Sequence, residues 1–406
     1  MRSKLLSLLL LLSYSVGLIC QAQSTKTRPL LMVHYLPWYE APPTSQRWGW
    51  HWTMDHYHPA SLTNGRREAA THYYPLIGLY DSSDPDVLEC QVLLMKLSGI
   101  DGVIIDWYGK DDYMDYSINH RNAQRLIEFV RKARLRFAIM YEDQTVPKLI
   151  AGKVLQQKDA VDHGRDLMQW LQQNWFSSPN YLRLGNRAVF LVFGPQYYKA
   201  VDWQEMFAAL VPPPIFFTLQ EPCGPAAGGF SWPLPAGGTQ QSLHKLDDYY
   251  AQAKNWPINI PAAYPRFHDI YADAGVRSSW GTIEDRNGQT YRETLSRAIG
   301  SQQPVVQLVT WNDWGEGTQI EPSVEFGYRD LEVTQKSRRQ LIDPSFSFGP
   351  DDLRLPIQLY KLRVQFRGNS AVRAELEAAS RLLFDGRVKE AGKVLHALQT
   401  TQVSGK

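Results

Sequence analysis

Eight short apolar runs, with helical segments between most of them, constrain the fold of this chain more than any other feature. They cover residues 30–36, 102–107, 136–142, 187–193, 214–220, 229–234, 258–264 and 305–311. Each is apolar on consecutive residues rather than alternate ones, the pattern of parallel strands covered on both faces. Helical patterns at 86–97, 121–133, 159–175, 203–210, 241–255 and 289–299 supply the crossovers. Strand–helix alternation of this kind predicts an α/β fold, a (β/α)8 TIM barrel. The fifth and sixth runs have only 221–228 between them. A doubly wound open sheet is the alternative, but no Gly-rich phosphate loop follows the first run. Residues 353–366 read as the last barrel helix. Residues 371–384 and 388–399, joined by Asp385-Gly386-Arg387, read as a short C-terminal helical hairpin packed on the barrel.

Residues 1–22 have the pattern of a signal peptide: Arg2 and Lys4, a leucine-rich apolar stretch, then Cys20-Gln21-Ala22 with small residues placed for cleavage before Gln23. The chain is therefore expected to be exported, periplasmic or extracellular, with a barrel over 23–368 and the hairpin and tail over 369–406. A lipoprotein acylated at Cys20 is the alternative, against which stands the bulky Ile19. The 41 acidic residues all lie beyond the signal, and of the 43 basic ones only Arg2 and Lys4 lie within it. The remaining chain is formally neutral, which argues against nucleic acid or an anionic membrane as partner. Cys90 falls in an apolar helical segment and Cys223 in a Pro/Gly loop, so they are expected to be separate thiols.

In a barrel of this kind chemistry sits just beyond the C-terminal end of each strand. There the chain is polar and aromatic. The first run ends His34-Tyr35-Leu36-Pro37-Trp38-Tyr39, the second Asp106-Trp107-Tyr108, the third Tyr141-Glu142-Asp143, and the fifth Gln220-Glu221. The seventh leads into Tyr264 and His268. The eighth delivers Trp311-Asn312-Asp313-Trp314-Gly315-Glu316-Gly317-Thr318-Gln319-Ile320-Glu321. Two carboxylates three residues apart, Asp313 and Glu316, supply acid and base, while indoles supply flat apolar faces for a sugar's C–H groups. Asp143 reads equally well as a helix N-cap. The first loop holds Trp48, Trp50 and Trp52, expected to wall the cleft. Its His51, Asp55, His56 and His58 suggest a metal, but only His51 and Asp55 have helical spacing and Pro59 follows at once. No metal and no cofactor is expected. Asp313 and Glu316 are thus the candidate catalytic pair. The candidate substrate-binding residues are His34, Tyr35, Trp38, Tyr39, Trp50, Asp106, Trp107, Tyr108, Tyr141, Glu142, Glu221, Tyr264, His268, Trp311, Asn312, Trp314 and Gln319. The expected partner is an oligo- or polysaccharide.

These motifs, with Gly99-Ile100-Asp101-Gly102-Val103, resemble those of the endo-acting mannosidases of glycoside hydrolase family 99 and the related family 71, over most of the barrel. The resemblance implies a barrel that hydrolyses α-linked mannose with retention and without a metal, the sugar's own 2-hydroxyl attacking through a 1,2-anhydro intermediate. The first motif carboxylate would be the base and the second the acid. The family's motif reads Trp-Asn-Glu-Trp-His-Glu-Gly-Thr-Gln-Ile-Glu. Here Asp313 stands for its Glu and Gly315 for its His. Aspartate is one methylene shorter, so either the substrate sits differently or Asp313 only positions it and Glu142 or Glu221 completes the pair. Two further readings stay open: a glycan-binding barrel that has lost the reaction, and an enzyme whose DxxE carboxylates hold a metal.

Overall fold

The computed structural model describes residues 28–400. The signal segment 1–22, and Cys20 with it, lies outside the described residues. Eight parallel strands form the barrel: β1 (Leu30–Tyr35), β2 (Gly102–Trp107), β3 (Arg136–Tyr141), β4 (Arg187–Val192), β5 (Ile215–Leu219), β6 (Gly228–Phe230), β7 (Ala262–Ala263) and β8 (Val305–Leu308). Their hydrogen-bonded order is β7-β8-β1-β2-β3-β4-β5-β6. Neighbours in space are neighbours in sequence, so the switch point of a doubly wound sheet is missing. A parallel bridge between Phe230 and Ile260 joins β6 to the chain leading into β7 and nearly closes the ring. Gly228 permits that approach: a Cβ there would lie 1.7 Å from the Ile258 carbonyl oxygen.

Helices α1 (Pro85–Ser98), α2 (Tyr116–Lys132), α3 (Ala160–Leu171), α4 (Ala200–Ala208), α5 (Gly238–Ala253) and α6 (Gln289–Gly300) occupy the expected crossovers. α1 shows why its segment is helical. Asp84 caps it by accepting from the Asp86 N–H, Pro85 takes the first turn where a missing N–H costs nothing, and Gly99 ends it at φ +86°. No helix separates β5 from β6.

One expectation is corrected. Helix α7 (Arg329–Ser337), not segment 353–366, is the eighth member of the ring, packing against both α6 and α1. Its polar sequence, with one leucine and one valine, gave little periodicity to read. Helix α8 (Arg354–Gln365) lies outside it, on α1, and carries α9 (Ser370–Phe384) and α10 (Val388–Thr400). A buried ion pair fixes this addition: Glu89 of α1 accepts from Arg363 of α8 at 2.6 Å and also takes Ser380 of α9. Cys90 and Cys223 are both unpaired. Among the described residues no helix is long and apolar enough to cross a membrane.

Candidate active site

Strand alternation decides which of the polar residues at the strand ends face the barrel interior. Tyr35 points outward, its hydroxyl donating to Gln91 of α1 at 2.7 Å. His34 therefore points inward, where its ring meets the edge of Trp232 at 4.9 Å. Register carries this parity around the barrel. His34 lies beside Ile104, and Asp106 beside Met140, which puts Asp106 and Glu142 on the inner face. Trp107 and Tyr141 take the outer face. Trp107 donates to His120 of α2 at 3.2 Å, and the Tyr141 hydroxyl meets Thr145 at 3.4 Å.

The chain beyond β8 doubles back on itself. The Thr310 N–H donates to the Thr318 carbonyl at 3.1 Å and the Ile320 N–H to the Thr310 carbonyl at 2.9 Å. Gly317 makes the return possible, at φ +67° with its would-be Cβ only 2.6 Å from the His268 carbonyl oxygen. The Asn312 side chain ties this loop to the end of β1, bonding both the N–H and the carbonyl of Leu36 at 2.9 Å. The Tyr39 hydroxyl donates to the Asn312 carbonyl at 2.9 Å and accepts from the Trp314 N–H at 3.1 Å. Beneath the loop, buried Glu321 accepts from Gln91 at 2.7 Å, Tyr80 at 2.8 Å and the Trp314 indole at 3.3 Å. Burial nonetheless lifts its carboxyl to about 7.

So held, the loop presents Asp313 and Glu316. Asp313 is buried, and its Oδ1 accepts from the Glu316 N–H at 2.9 Å. Desolvation raises the Asp313 carboxyl to about 6 against its backbone donors. Glu316 is pushed well above the usual carboxylate range, by desolvation first and then by the negative charge of Asp313, with Asp269 and Glu142 adding and Arg277 opposing. Asp106 is raised by burial and by Glu142 and Asp313, and Glu142 is raised by burial to about 7. Four acids thus converge from β2, β3 and β8. Such a cluster can hold protons at neutral pH and place both an acid and a base at one substrate. His34 is lowered to about 3 by burial and is neutral there.

Several expected substrate residues prove to build the scaffold instead. Tyr35, Trp107, Tyr141 and Tyr264 face the helix layer, Tyr264 reaching Ser242 of α5 at 3.1 Å. Trp311 is fully buried in the main core, and Tyr39, Asn312 and Trp314 anchor the loop. The two tryptophans flanking the acids are therefore supports and not sugar platforms. Glu221 is exposed beyond β5 and bonds to none of the four acids, so it is not the missing partner. Asp143 does not cap the helix that begins at Thr145; its carboxylate accepts instead from the loop N–H groups of Gln196, Tyr197 and Tyr198. Gln319 is buried with both amide atoms unpartnered, and His268 stacks on His72 at 3.6 Å.

The open aromatic surface comes from the first loop. Trp38 stacks on His51 at 4.0 Å, Trp50 is 41% exposed, and both line a cleft of about 540 Å³ with Tyr108, Tyr116 and Lys148. His51 pairs with Asp115 at 3.5 Å and Asp55 accepts from Trp50 at 3.0 Å, so His51, Asp55, His56 and His58 do not converge. Among the described residues no group of three or more His, Cys, Asp or Glu could hold a metal. Trp232, Tyr271 and Arg277 escaped the sequence reading. Arg277 lies 4.0 Å over the Tyr271 ring, and Tyr271 is in electrostatic reach of Glu316 and Asp313. Their loop follows β7, a two-residue strand that gave the sequence little to mark.

Gly315, where the related family has His, has a structural reason. A Cβ there would come within 3.1 Å of Met54 Cε and 3.5 Å of Asp313 Oδ1. The first loop occupies the space a larger side chain would need.

No protein-family model matches the chain. It is similar to a glycoprotein endo-alpha-1,2-mannosidase of Rattus norvegicus, 24% identical over 331 residues, which cover 71% of this chain and 67% of that protein. A glycoprotein endo-alpha-1,2-mannosidase-like protein of Homo sapiens is 23% identical over 350 residues, covering 74% and 70%. Among solved structures, the GH99 endo-alpha-mannosidase of Bacteroides thetaiotaomicron superposes with a TM-score of 0.56 at 19% identity, over 76% of this chain and 95% of that one. Over most of its length the chain is thus similar in sequence to endo-alpha-1,2-mannosidases, and its fold is the barrel of the GH99 endo-alpha-mannosidase.

Proposed function

We propose that this chain is an exported glycoside hydrolase that cleaves α-linked sugars within a complex glycan with retention, mannosides being the first substrates to test. The observation that carries the reading is the pair Asp313 and Glu316, three residues apart in one buried loop at the C-terminal mouth of the barrel, both carboxyls raised by desolvation. Glu316, protonated by its desolvated setting, gives its proton to the leaving oxygen as the glycosidic bond breaks. Asp313 takes the proton of the sugar's 2-hydroxyl, whose oxygen closes on the anomeric carbon. Water then attacks the anomeric carbon from the opposite side and breaks its bond to the 2-oxygen: ionised Glu316 accepts the proton of the water, and Asp313 returns its proton to the 2-oxygen. The neutral charge balance beyond the signal segment suits an uncharged glycan.

The test is reducing-sugar release from α-mannans, α-glucans and xylans, with proton NMR of the first-formed anomer and a 2-deoxy substrate beside it. Retention with an inert 2-deoxy substrate is the expected result. Inversion removes Asp313 from the base role and makes it, or Glu142, the group that activates water. The alternative is a glycan-binding barrel without the reaction, favoured by the Asp313 carboxylate being bonded back to its own loop. Binding without release from any glycan would establish it.

A further inference from the structure

One pair of acids is unused by that reaction. Asp106 and Glu142 face the barrel interior from the ends of adjacent strands, β2 and β3. Their carboxyls hydrogen-bond to each other, so one proton lies between them. The surroundings decide which of them keeps it. Glu142 accepts from the Gln144 amide and lies in reach of the Lys148 ammonium, both of which favour an anion. Asp106 has only the Trp107 backbone in that role and faces the acids Glu142 and Asp313, with Tyr108 nearby. His34 on β1, neutral, adds no charge. The proton therefore belongs to Asp106. It occupies one carboxyl oxygen only: Oδ1 is buried and receives no hydrogen bond from any described residue. A buried polar atom without a partner costs about 1–3 kcal/mol, and functional sites are where such atoms persist.

We propose that Asp106 works as a neutral acid. Its Oδ2 proton is donated to Glu142, and its Oδ1 accepts a hydroxyl of the sugar ring seated over Asp313 and Glu316. Glu142 is then a positioning residue that acts through Asp106. A neutral oxygen fits this place, because a third free carboxylate would oppose ionisation of Asp313. The inference rests on the glycosidase reading above.

The discriminating variant is Asp106→Asn. Its amide N–H donates to Glu142 and its oxygen remains an acceptor, so it copies a protonated aspartate. We expect it to keep a kcat/KM several-fold above that of Asp106→Leu, with the alkaline limb still set by Glu316. Asp106→Leu, of similar bulk, is expected to lose about 10-fold or more, the loss of one ligand hydrogen bond. Glu142→Gln removes a negative neighbour and is expected to move the alkaline limb to lower pH. Thermal melts establish that each variant folds. An Asn variant as damaged as a folded Leu variant would show that Asp106 must ionise, and a fully active Leu variant would show that it touches no substrate. Either result overturns the inference. If the wild type cleaves no glycan, the glycosidase reading fails by itself. Calorimetric titration of the same proteins with α-linked manno-oligosaccharides then carries the test. Equal affinity for wild type and Asn with weaker binding by Leu supports the role of Asp106, and any other order, or no binding, overturns it.

Discussion

Asp313 Oδ1 accepts the backbone N–H of Glu316 at 2.9 Å, so one candidate catalytic carboxylate shapes the loop that carries the other. The contact holds the Asp313 carboxylate against the loop that bears it. The loop is fixed by Asn312 and Tyr39 from the other side. It also links the two acids electrically, since the charge of Asp313 is the second cause of the raised Glu316 carboxyl.

Glu316→Gln is expected to lower kcat about 10²- to 10⁴-fold, the usual share of general acid catalysis. The fold should survive, because no described hydrogen bond depends on the Glu316 side chain and its backbone carbonyl still accepts from His268 at 2.8 Å. Turnover and a thermal melt check this together. Near-native turnover in a folded variant would remove Glu316 from the mechanism.

The pH profile follows from the directions of the two shifts. Asp313 is raised to about 6, so below that pH it is protonated and cannot take a proton, and the rate falls as pH drops through 6. Glu316 lies well above the usual carboxylate range, so the rate falls again once pH rises far enough to ionise it. The two are coupled, and the limbs belong to the pair. Asp313→Asn still offers an oxygen to the Glu316 N–H. Its residual activity should lose the acidic limb, measured as kcat/KM against pH, and persistence of that limb would assign it to another group.

Tyr35→Phe tests the outward parity of β1. The change deletes one buried hydrogen bond, to Gln91, and should cost about 1 kcal/mol of stability with KM unchanged. Urea unfolding and steady-state kinetics separate the outcomes. A raised KM at unchanged stability would place the ring in the cleft.

Glu321 gives a stability prediction of definite sign. Its carboxyl is raised from the usual 4.5 to about 7 by burial, so the folded state prefers the protonated form. That contribution is fully present below about 4.5 and is lost as pH rises through 7. A tenfold change in a protonation equilibrium is worth about 1.4 kcal/mol, so the contribution is on the order of 1–3 kcal/mol. Urea unfolding of the wild type should therefore weaken between pH 5 and 8 by more than that of Glu321→Gln, which cannot ionise. Equal pH dependence in the two proteins would show that Glu321 is not the group responsible.

The sequence by itself determined the eight strands, most of the helices between them and the loop bearing Asp313 and Glu316. Runs such as Val103-Ile104-Ile105 must be covered on both faces, and only a sheet sheathed in helices does that. The same double-sided apolarity hid the orientation of the strands. In a run without alternation nothing marks whether His34 or Tyr35, Asp106 or Trp107, Tyr141 or Glu142 points inward. Both members of each pair read as site residues, and the register between strands decides between them. Tertiary structure also decided which indoles meet the cleft: Trp311 and Trp314, beside the acids in sequence, are spent on packing, while Trp38 and Trp50 arrive from the loop after β1. The paired carboxyls of Asp106 and Glu142 belong to the tertiary structure for the same reason. A proton shared across two strands depends on a distance through space, which spacing along the chain does not encode.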